Sequence, residues 1–373
     1  MSGWAPLAGM SVVEACQRLV GPLAAWQLSM LGAEVTKVEP PAGDVARGWG
    51  AVFDLMNAGK RCAALDLDQP AGRAAFERLC AAADIVLADA TWSEQPALAG
   101  IRRAGAHTRV AVIVDDGAVP GGCGSSETLA QAALAITPYI GEHGGPPERL
   151  GADVVSASAA TSAVQAALAG LLAEDGTPPL VARVAIDRAA AALKTIHWAA
   201  RSDPDRWAGY HVWAIARAPD RGYRVSDGFV TLDFLPDQRA AWRALCAELG
   251  LDAFADSVSD GWFSTIGMED RIDWARPHYE RALAGFTRAE AVARIRRHGG
   301  WSVPFQSPPE VLTHPQARLY ASAFLADGQA QVRLPWRIDN APQGTHTCAI
   351  APPVGAHTRE VLAALAAEAE EVS

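Results

Sequence analysis

Several familiar signatures are missing from this sequence. Its six cysteines, Cys16, Cys62, Cys80, Cys123, Cys246 and Cys348, are scattered, and no two stand as CxxC. That spacing excludes a zinc knuckle and a disulfide framework, and reads as small buried side chains in a reducing compartment. There is no HExxH and no histidine pair at i, i+4, so no metal is expected. Neither GxGxxG nor GxxxxGKS/T occurs; the Gly-rich break DDGAVPGGCGSS after RVAVIVD reads as a loop, and so does His143. GxSxG is absent too, which removes an α/β-hydrolase elbow. The first residues, MSGWAPLAGM, lack a basic segment followed by an apolar one, so no signal peptide is read and a cytoplasmic location is expected. Long hydrophobic runs are also wanting. The most membrane-like stretch, SASAATSAVQAALAGLLA at 156–173, is alanine with Ser, Thr and Gln, which suits a buried helix and no membrane partner. Positive charge is in deficit: 32 Lys and Arg against 42 Asp and Glu give a net charge of −10. Nucleic acid needs a basic face and is not an expected partner. An anionic cofactor needs only a local cluster.

What is present is a chain of 373 residues, half of them hydrophobic, a globular profile too long for one core. Strand-like runs at 10–15, 35–40, 62–68, 84–90 and 109–115 alternate with helical ones at 21–33 and 70–83. Alternation of this kind predicts an α/β fold, with a mainly parallel, Rossmann-like sheet in a large domain at 1–200. Further helices are expected at 127–141 and 157–173, and a strand at 181–187. The β-branched pair Val154-Val155 reads as a short strand leading into the second of these helices. After about residue 200 the texture changes. A hairpin across Asp227-Gly228 and amphipathic helices at 238–251 and 287–300 predict a smaller α+β domain at 212–315. A segment at 316–373 is expected to return to the large domain. Twelve tryptophans, several of them in 198–213 and 262–301, read as core and interface anchors or as an aromatic acyl pocket.

Gly21-Pro22 opens a helix whose free N–H groups suit an anion. Lys37, Arg47, Lys60 and Arg61 are read as cations in loops that follow strands, where α/β sheets bind ligands. The stretch VGPLAAWQLSMLGAEVTKVEPPAGD, then NAGKR at 57–61 and ALDLDQPAGR at 64–73, resembles the class III CoA-transferases. This is the CaiB/BaiF family, which includes formyl-CoA transferase, carnitine CoA-transferase and α-methylacyl-CoA racemase. The similarity continues in AQAALAITPYIGEHGGPPERLG, RAPDRGYRVSDGFVTL, GWSVPFQSPPEVLTHPQA and APPVGAHTREVLAAL, and so covers nearly the whole chain.

The resemblance implies two subunits threaded through each other as interlocked rings, coenzyme A or an acyl-CoA as substrate, and a carboxylic acid, possibly aromatic, as its partner. It places Gln17, Val20, Lys37, Arg47, Asn57, Ala58, Lys60 and Arg61 at the coenzyme. In the family an aspartate attacks the acyl-CoA, because a carboxylate can be both nucleophile and acyl carrier. It lies shortly after the glycine of a P-x-R-x-G segment, before an Ala-rich helix. Counted from Gly151, the matching position holds Ser156. The nearest acid, Asp153, is three residues early, roughly 10 Å away and on the other face if the segment is extended. Other departures agree: Asp89-Ala90-Thr91-Trp92 replaces a family pattern, Gly124 stands where a CoA-contacting lysine can occur, and the racemase histidine segment is missing, although Asp237 falls near the racemase glutamate. The expected function is a subunit of a class III acyl-CoA:carboxylate CoA-transferase that lacks the nucleophile and pairs with a catalytic paralogue or with itself, as in benzylsuccinate CoA-transferase. Three alternatives remain: an active transferase using Asp153, a racemase- or lyase-like enzyme, and a CoA-ester-binding protein.

Overall fold

Six strands form one sheet in the computed structural model. They are β1 (Ser11–Ala15), β2 (Glu34–Glu39), β3 (Arg61–Ala64), β4 (Ile85–Asp89), β5 (Val110–Asp115) and β6 (Leu180–Ala185), in the order β3-β2-β1-β4-β5-β6. Every neighbouring pair is parallel, and Val12 of β1 lies between Val35 and Ile85. The structure describes residues 4–103, 105–115, 126–134, 146–174, 178–195, 222–235, 237–258, 269–320, 323–326, 329–332, 346–347 and 350–371.

Parallel strands covered on both faces read as continuous apolar runs, and VAVIV in β5 is buried throughout. Alternate residues serve opposite layers. Val12, Val35, Leu87, Val110 and Val112 pack with α1 (Val20–Met30), α6 (Val154–Leu171) and α7 (Ile186–Leu193). Val13, Val38, Val86, Ala111 and Ile113 pack with α3 (Pro70–Ala82), α4 (Glu94–Ile101) and the closing helix Thr358–Glu371. Small side chains bring α6 close to the sheet: a Cβ on Gly170 would stand 2.4 Å from the Cβ of Val110. By length and composition α6 is apolar enough to cross a membrane, but Val155, Ala159, Ala160, Ala163 and Ala167 are buried in this core.

Several boundaries differ from the sequence reading. The helix expected at 127–141 ends at Ala133, with Leu134 as its C-cap. Val154 and Val155 are not a strand but the first turn of α6, because a carboxylate from another helix caps them there. The strand expected at 181–187 ends at Ala185, and α7 begins at Ile186. The strand expected at 62–68 ends at Ala64, after which the Asp66 carboxylate accepts the Asp68 N–H and turns the chain.

The chain divides into two units, one of Met1–Ile140, Pro146–Leu193 and Leu312–Ser373, the other of Gly141–Gly145 and Lys194–Val311. In the second, β7 (Tyr223–Val225) and β8 (Gly228–Val230) form the hairpin. Its two-residue turn is Ser226-Asp227, one residue before the expected pair, and Gly228 with φ 147° begins the return strand. Helices Arg239–Glu248, Glu269–Leu283 and Arg288–Arg297 enclose a core of Tyr223, Phe234, Trp242, Phe254, Tyr279 and Ile295. The Trp242 indole donates to the Tyr279 hydroxyl at 2.7 Å, so this tryptophan is a core anchor. Thr287 and Glu290 form a capping box for the last helix. Tryptophans 198, 207, 213 and 262, His143, Cys123, Cys348 and Gly124 lie outside the described residues. Cys16, Cys62, Cys80 and Cys246 are buried and unpaired with one another.

Candidate functional site

The N-terminus of α6 is closed by a carboxylate that sequence reasoning missed. Helix α5 (Glu127–Ala133) places Glu127 in its first turn and Gln131 one turn later on the same face. Val155 N–H donates to Glu127 Oε1 at 3.0 Å, and Ser156 N–H donates to Oε2 at 2.8 Å. The Ser156 hydroxyl donates to the same Oε2 at 2.7 Å, and Gln131 Nε2 donates to Oε1 at 2.7 Å. Gln131 is itself fixed, accepting the Leu150 N–H at 2.9 Å and donating to the Ala152 carbonyl at 3.1 Å. Two carboxylate oxygens therefore take four donors, two of them first-turn N–H groups that a helix leaves unpaired. Burial alone would push the Glu127 carboxyl up, but the bonds from Gln131, Val155 and Ser156 hold it below the usual carboxylate range. This is a fixed anion on a helix terminus rather than a base in search of a proton.

Ser156 is only 2% exposed, and its hydroxyl has a carboxylate but no proton acceptor of ordinary basicity. Asp153 occupies the N-cap position of α6, its carbonyl accepting the Ala157 N–H at 2.9 Å but its side chain making no cap bond; that side chain is 51% exposed and pairs with Arg149 Nη2 at 2.5 Å. Since the segment turns into helix at Val154, residues 153 and 156 are i and i+3 on one turn. Both line the same cavity, where an extended segment would have sent them to opposite faces. That cavity measures 570 Å³. One side is Arg18, Leu19, Val45, Trp49 and Val52, from the chain after β1 and β2; the other is Ser126, Glu127, Thr128, Arg149, Asp153 and Ser156.

The four cations are placed differently from their sequence reading. Lys37 is not in a loop but within β2, fully buried, 3.1 Å from Glu14 and 3.0 Å from Asp44. Burial opposes its charge, yet Glu14 and Asp44 hold its pKa above the ordinary lysine value. Lys60 is buried against Glu14, the Pro22 carbonyl and Asn57, and burial lowers it to about 8. Arg47 makes a two-pronged pair with Glu39 at 2.8 and 2.6 Å and donates to the Pro352 carbonyl. Arg61 is not in a loop either but opens β3, half-buried and 3.8 Å from Glu360. Positive charge that the sequence suggests for an anion is thus used on Glu14, Glu39 and Asp44, three acids that no spacing marks as partners. Val20 is a core residue, Asn57 is buried with its amide donating to the Phe53 carbonyl, and Gln17 and Ala58 are half-buried at loop positions.

What this cluster does is hold the 45–52 segment. Asp44 accepts N–H bonds from Arg18 and Ala46 and caps a 3-10 turn at Val45–Trp49, which runs on into α2 (Ala51–Asn57). Arg18, in a left-handed conformation at φ 69°, is pinned by that bond at the mouth of the cavity. Gly21 is required for a different reason: a Cβ there would stand 2.2 Å from the Cβ of Cys16. Among the described residues no three His, Cys, Asp or Glu side chains converge in a way that could hold a metal.

A doubly covered parallel sheet whose strand order reverses beside β1, with a cavity outside the strand ends, defines an α/β ligand-binding protein. The particular family follows from comparison. The family model described as CoA-transferase family III matches residues 7–107 and 121–358, and the chain belongs to that family, whose members act on CoA thioesters. It is 28% identical over 282 residues to the succinate–glutarate CoA-transferase of Agrobacterium fabrum, covering 67% of this chain and 68% of that protein. It is 40% identical over 80 residues, 18% of this chain and 20% of the other, to the BbsE subunit of succinyl-CoA:(R)-benzylsuccinate CoA-transferase from Thauera aromatica. The fold matches a CaiB/BaiF family protein from Brucella suis with a TM-score of 0.76 at 20% identity, over 96% of this chain and 99% of that one. A hypothetical protein from Mycobacterium tuberculosis matches with a TM-score of 0.75 at 22% identity, over 97% and 100%.

Proposed function

We propose that this chain is a subunit of an acyl-CoA:carboxylate CoA-transferase that lacks the nucleophilic carboxylate and works beside a paralogue that carries one. The observation behind this is the side chain at 156. It sits in the first turn of α6, in the cavity wall, and it is a hydroxyl bound to an anion that does not accept its proton readily. Such a serine is a poor acyl acceptor. The likeness to a named subunit of the Thauera transferase supports the heteromeric form, and the succinate–glutarate enzyme supports carboxylic acids as partners.

Transfer of CoA from succinyl-CoA to an acid acceptor tests this. The chain alone is expected to be inactive, and Ser156→Asp to gain transfer. An aspartate there stands beside Glu127, so one of the two carboxyls titrates above its ordinary range and the gained activity rises with pH. Robust transfer by the unaltered chain would overturn the reading. A second reading rests on one observation: Asp153 shares the cavity wall with Ser156 and is half-exposed. Under it, hydroxylamine with acyl-CoA modifies Asp153, and Asp153→Asn abolishes transfer.

A further inference from the structure

β3 is an outer strand of the sheet, and an outer strand leaves a row of N–H and C=O groups without a neighbouring strand. Here the start of the closing helix Thr358–Glu371 meets them. The His357 N–H donates to the Cys62 carbonyl at 2.9 Å, and the Cys62 N–H donates back to His357 Nδ1 at 3.0 Å. The Ala64 N–H donates to Thr358 Oγ1 at 2.9 Å, and that hydroxyl donates to the Gly355 carbonyl at 2.9 Å. The imidazole stands where a further strand would offer a carbonyl. The approach is close: Gly355, at φ 66°, would carry a Cβ 3.1 Å from that of Ala64. The same stretch, residues 351–358, also reaches the 44–54 segment, whose Val45, Trp49 and Val52 form an apolar ledge in the cavity wall. The Ala351 N–H donates to Asp54 Oδ1 at 2.9 Å, the Pro352 carbonyl accepts from Arg47 Nη2 at 3.1 Å, and Ala351 packs with Ala46 and Phe53. One strap therefore holds both the outer strand and the ledge.

A histidine makes such a strap conditional. Nδ1 accepts the Cys62 N–H only while it keeps its lone pair; a ring protonated on both nitrogens has two donors and no acceptor, and would set one N–H against another. The ring is half-buried, so solvent protons reach it. The charged groups around it come from three sides. Arg61 on β3 lies 3.8 Å from Glu360 of the closing helix, which also carries Arg359. Burial pushes the Cys62 thiol up to about 11, and the Glu39, Arg47, Lys37 and Glu14 charges that act on it are paired among themselves. On the ledge segment, Asp54 and Arg47 are bound to the strap itself. From α3, Arg78 donates to the Leu365 carbonyl two turns further along the closing helix.

We propose that residues 351–358 are a pH-sensitive strap: protonation of His357 unfastens it from β3 and frees the ledge of the cavity to move. The inference stands apart from the transferase reading, since it needs neither a coenzyme nor a reacting group at residue 156. Hydrogen exchange of the full chain, read by mass spectrometry as protection factors, decides it at about pH 8 and about pH 5, the limits between which an imidazole changes charge. In the parent, protection of peptides spanning 61–64 and 44–54 is expected to fall about tenfold on acidification, while that of β5 holds. His357→Asn sets an amide oxygen near the place of Nδ1 and takes up no proton; it should keep both segments protected at both pH values. His357→Ala removes the acceptor and should expose both segments already at about pH 8, with β5 again protected as evidence of folding. Unchanged protection in the parent would overturn the proposal. So would a fall that persists in His357→Asn, which would assign the response to another group, or a His357→Ala variant as protected as the parent. Loss shared equally by β5 would show global unfolding in place of a local release, and loss confined to 61–64 would remove the link to the ledge; either result sinks the strap as stated.

Discussion

Replacing Glu127 by glutamine tests the architecture of the site at its centre. The change keeps the shape of the side chain and removes its charge. Of the four donors it now receives, Gln131 Nε2 and Val155 N–H meet one oxygen, and Ser156 N–H and Oγ–H meet the other. A glutamine must turn its NH2 toward one of these pairs. Gln131 has no freedom to flip, because its oxygen holds Leu150 and its nitrogen holds Ala152. The hydroxyl of Ser156 does, so the NH2 faces Ser156, whose Oγ rotates to accept. One buried N–H, that of Ser156, then loses its partner, at a cost of about 1–3 kcal/mol. Loss of the anion at the α6 N-terminus adds about 0.3–1 kcal/mol. The sum is roughly 1–4 kcal/mol, read as a lower urea midpoint with an unchanged slope. The pH dependence has a definite sign. The folded carboxyl titrates below its unfolded value, so its stabilisation is present above that unfolded value and is lost as the pH falls through the folded one. Glu127→Gln should flatten that part of the acid limb. A variant within about 0.5 kcal/mol of the parent, the size of an ordinary surface change, with the same acid profile would refute the account.

Other substitutions probe the scaffold. Arg47→Met leaves the Glu39 carboxylate buried without its partner and should cost about 3 kcal/mol, while loosening the Val45–Trp49 ledge and the bond to the Pro352 carbonyl; a urea midpoint equal to the parent's would show that the pair holds nothing. Gly21→Ala drives a methyl group into Cys16 at 2.2 Å, and the expected loss of roughly 1–3 kcal/mol outweighs the usual gain of alanine in a helix of about 1 kcal/mol. A stabilised Gly21→Ala would mean that β1 and α1 do not approach as described.

Much of the sheet was legible in advance because buried parallel strands leave a plain trace. Apolar residues run unbroken through Ile85–Ala88 of β4 and Val110–Val114 of β5, and Pro22 and Pro70 sit where first helical turns accept them. The short stretch Val154-Val155 misled for the same reason. β-branched residues favour strands weakly, and a tertiary bond from Glu127 outweighs that preference. The site was legible in part. The position of Ser156 stood out against an alanine background. Glu127 did not, although Glu127 and Gln131 spaced i, i+4 offer a pair on one helix face. Nothing local says that this pair reaches a second helix across a Gly- and Pro-rich connection.

The amino-acid sequence on its own determined the α/β class, the family and the absence of a carboxylate at residue 156, because each is written in periodicity, motif order or a single letter. Only the tertiary structure decided which charges are available. Lysines, arginines and acids look alike along a chain whether they meet solvent or one another. Their partners here, Glu14 for Lys37 and Lys60, and Glu39 for Arg47, are set by neighbouring strands and turns rather than by neighbouring residues. Packing also chose which side chains of the 45–52 segment face the cavity, since a 3-10 turn followed by a short helix has no single period that a pattern of letters could reveal.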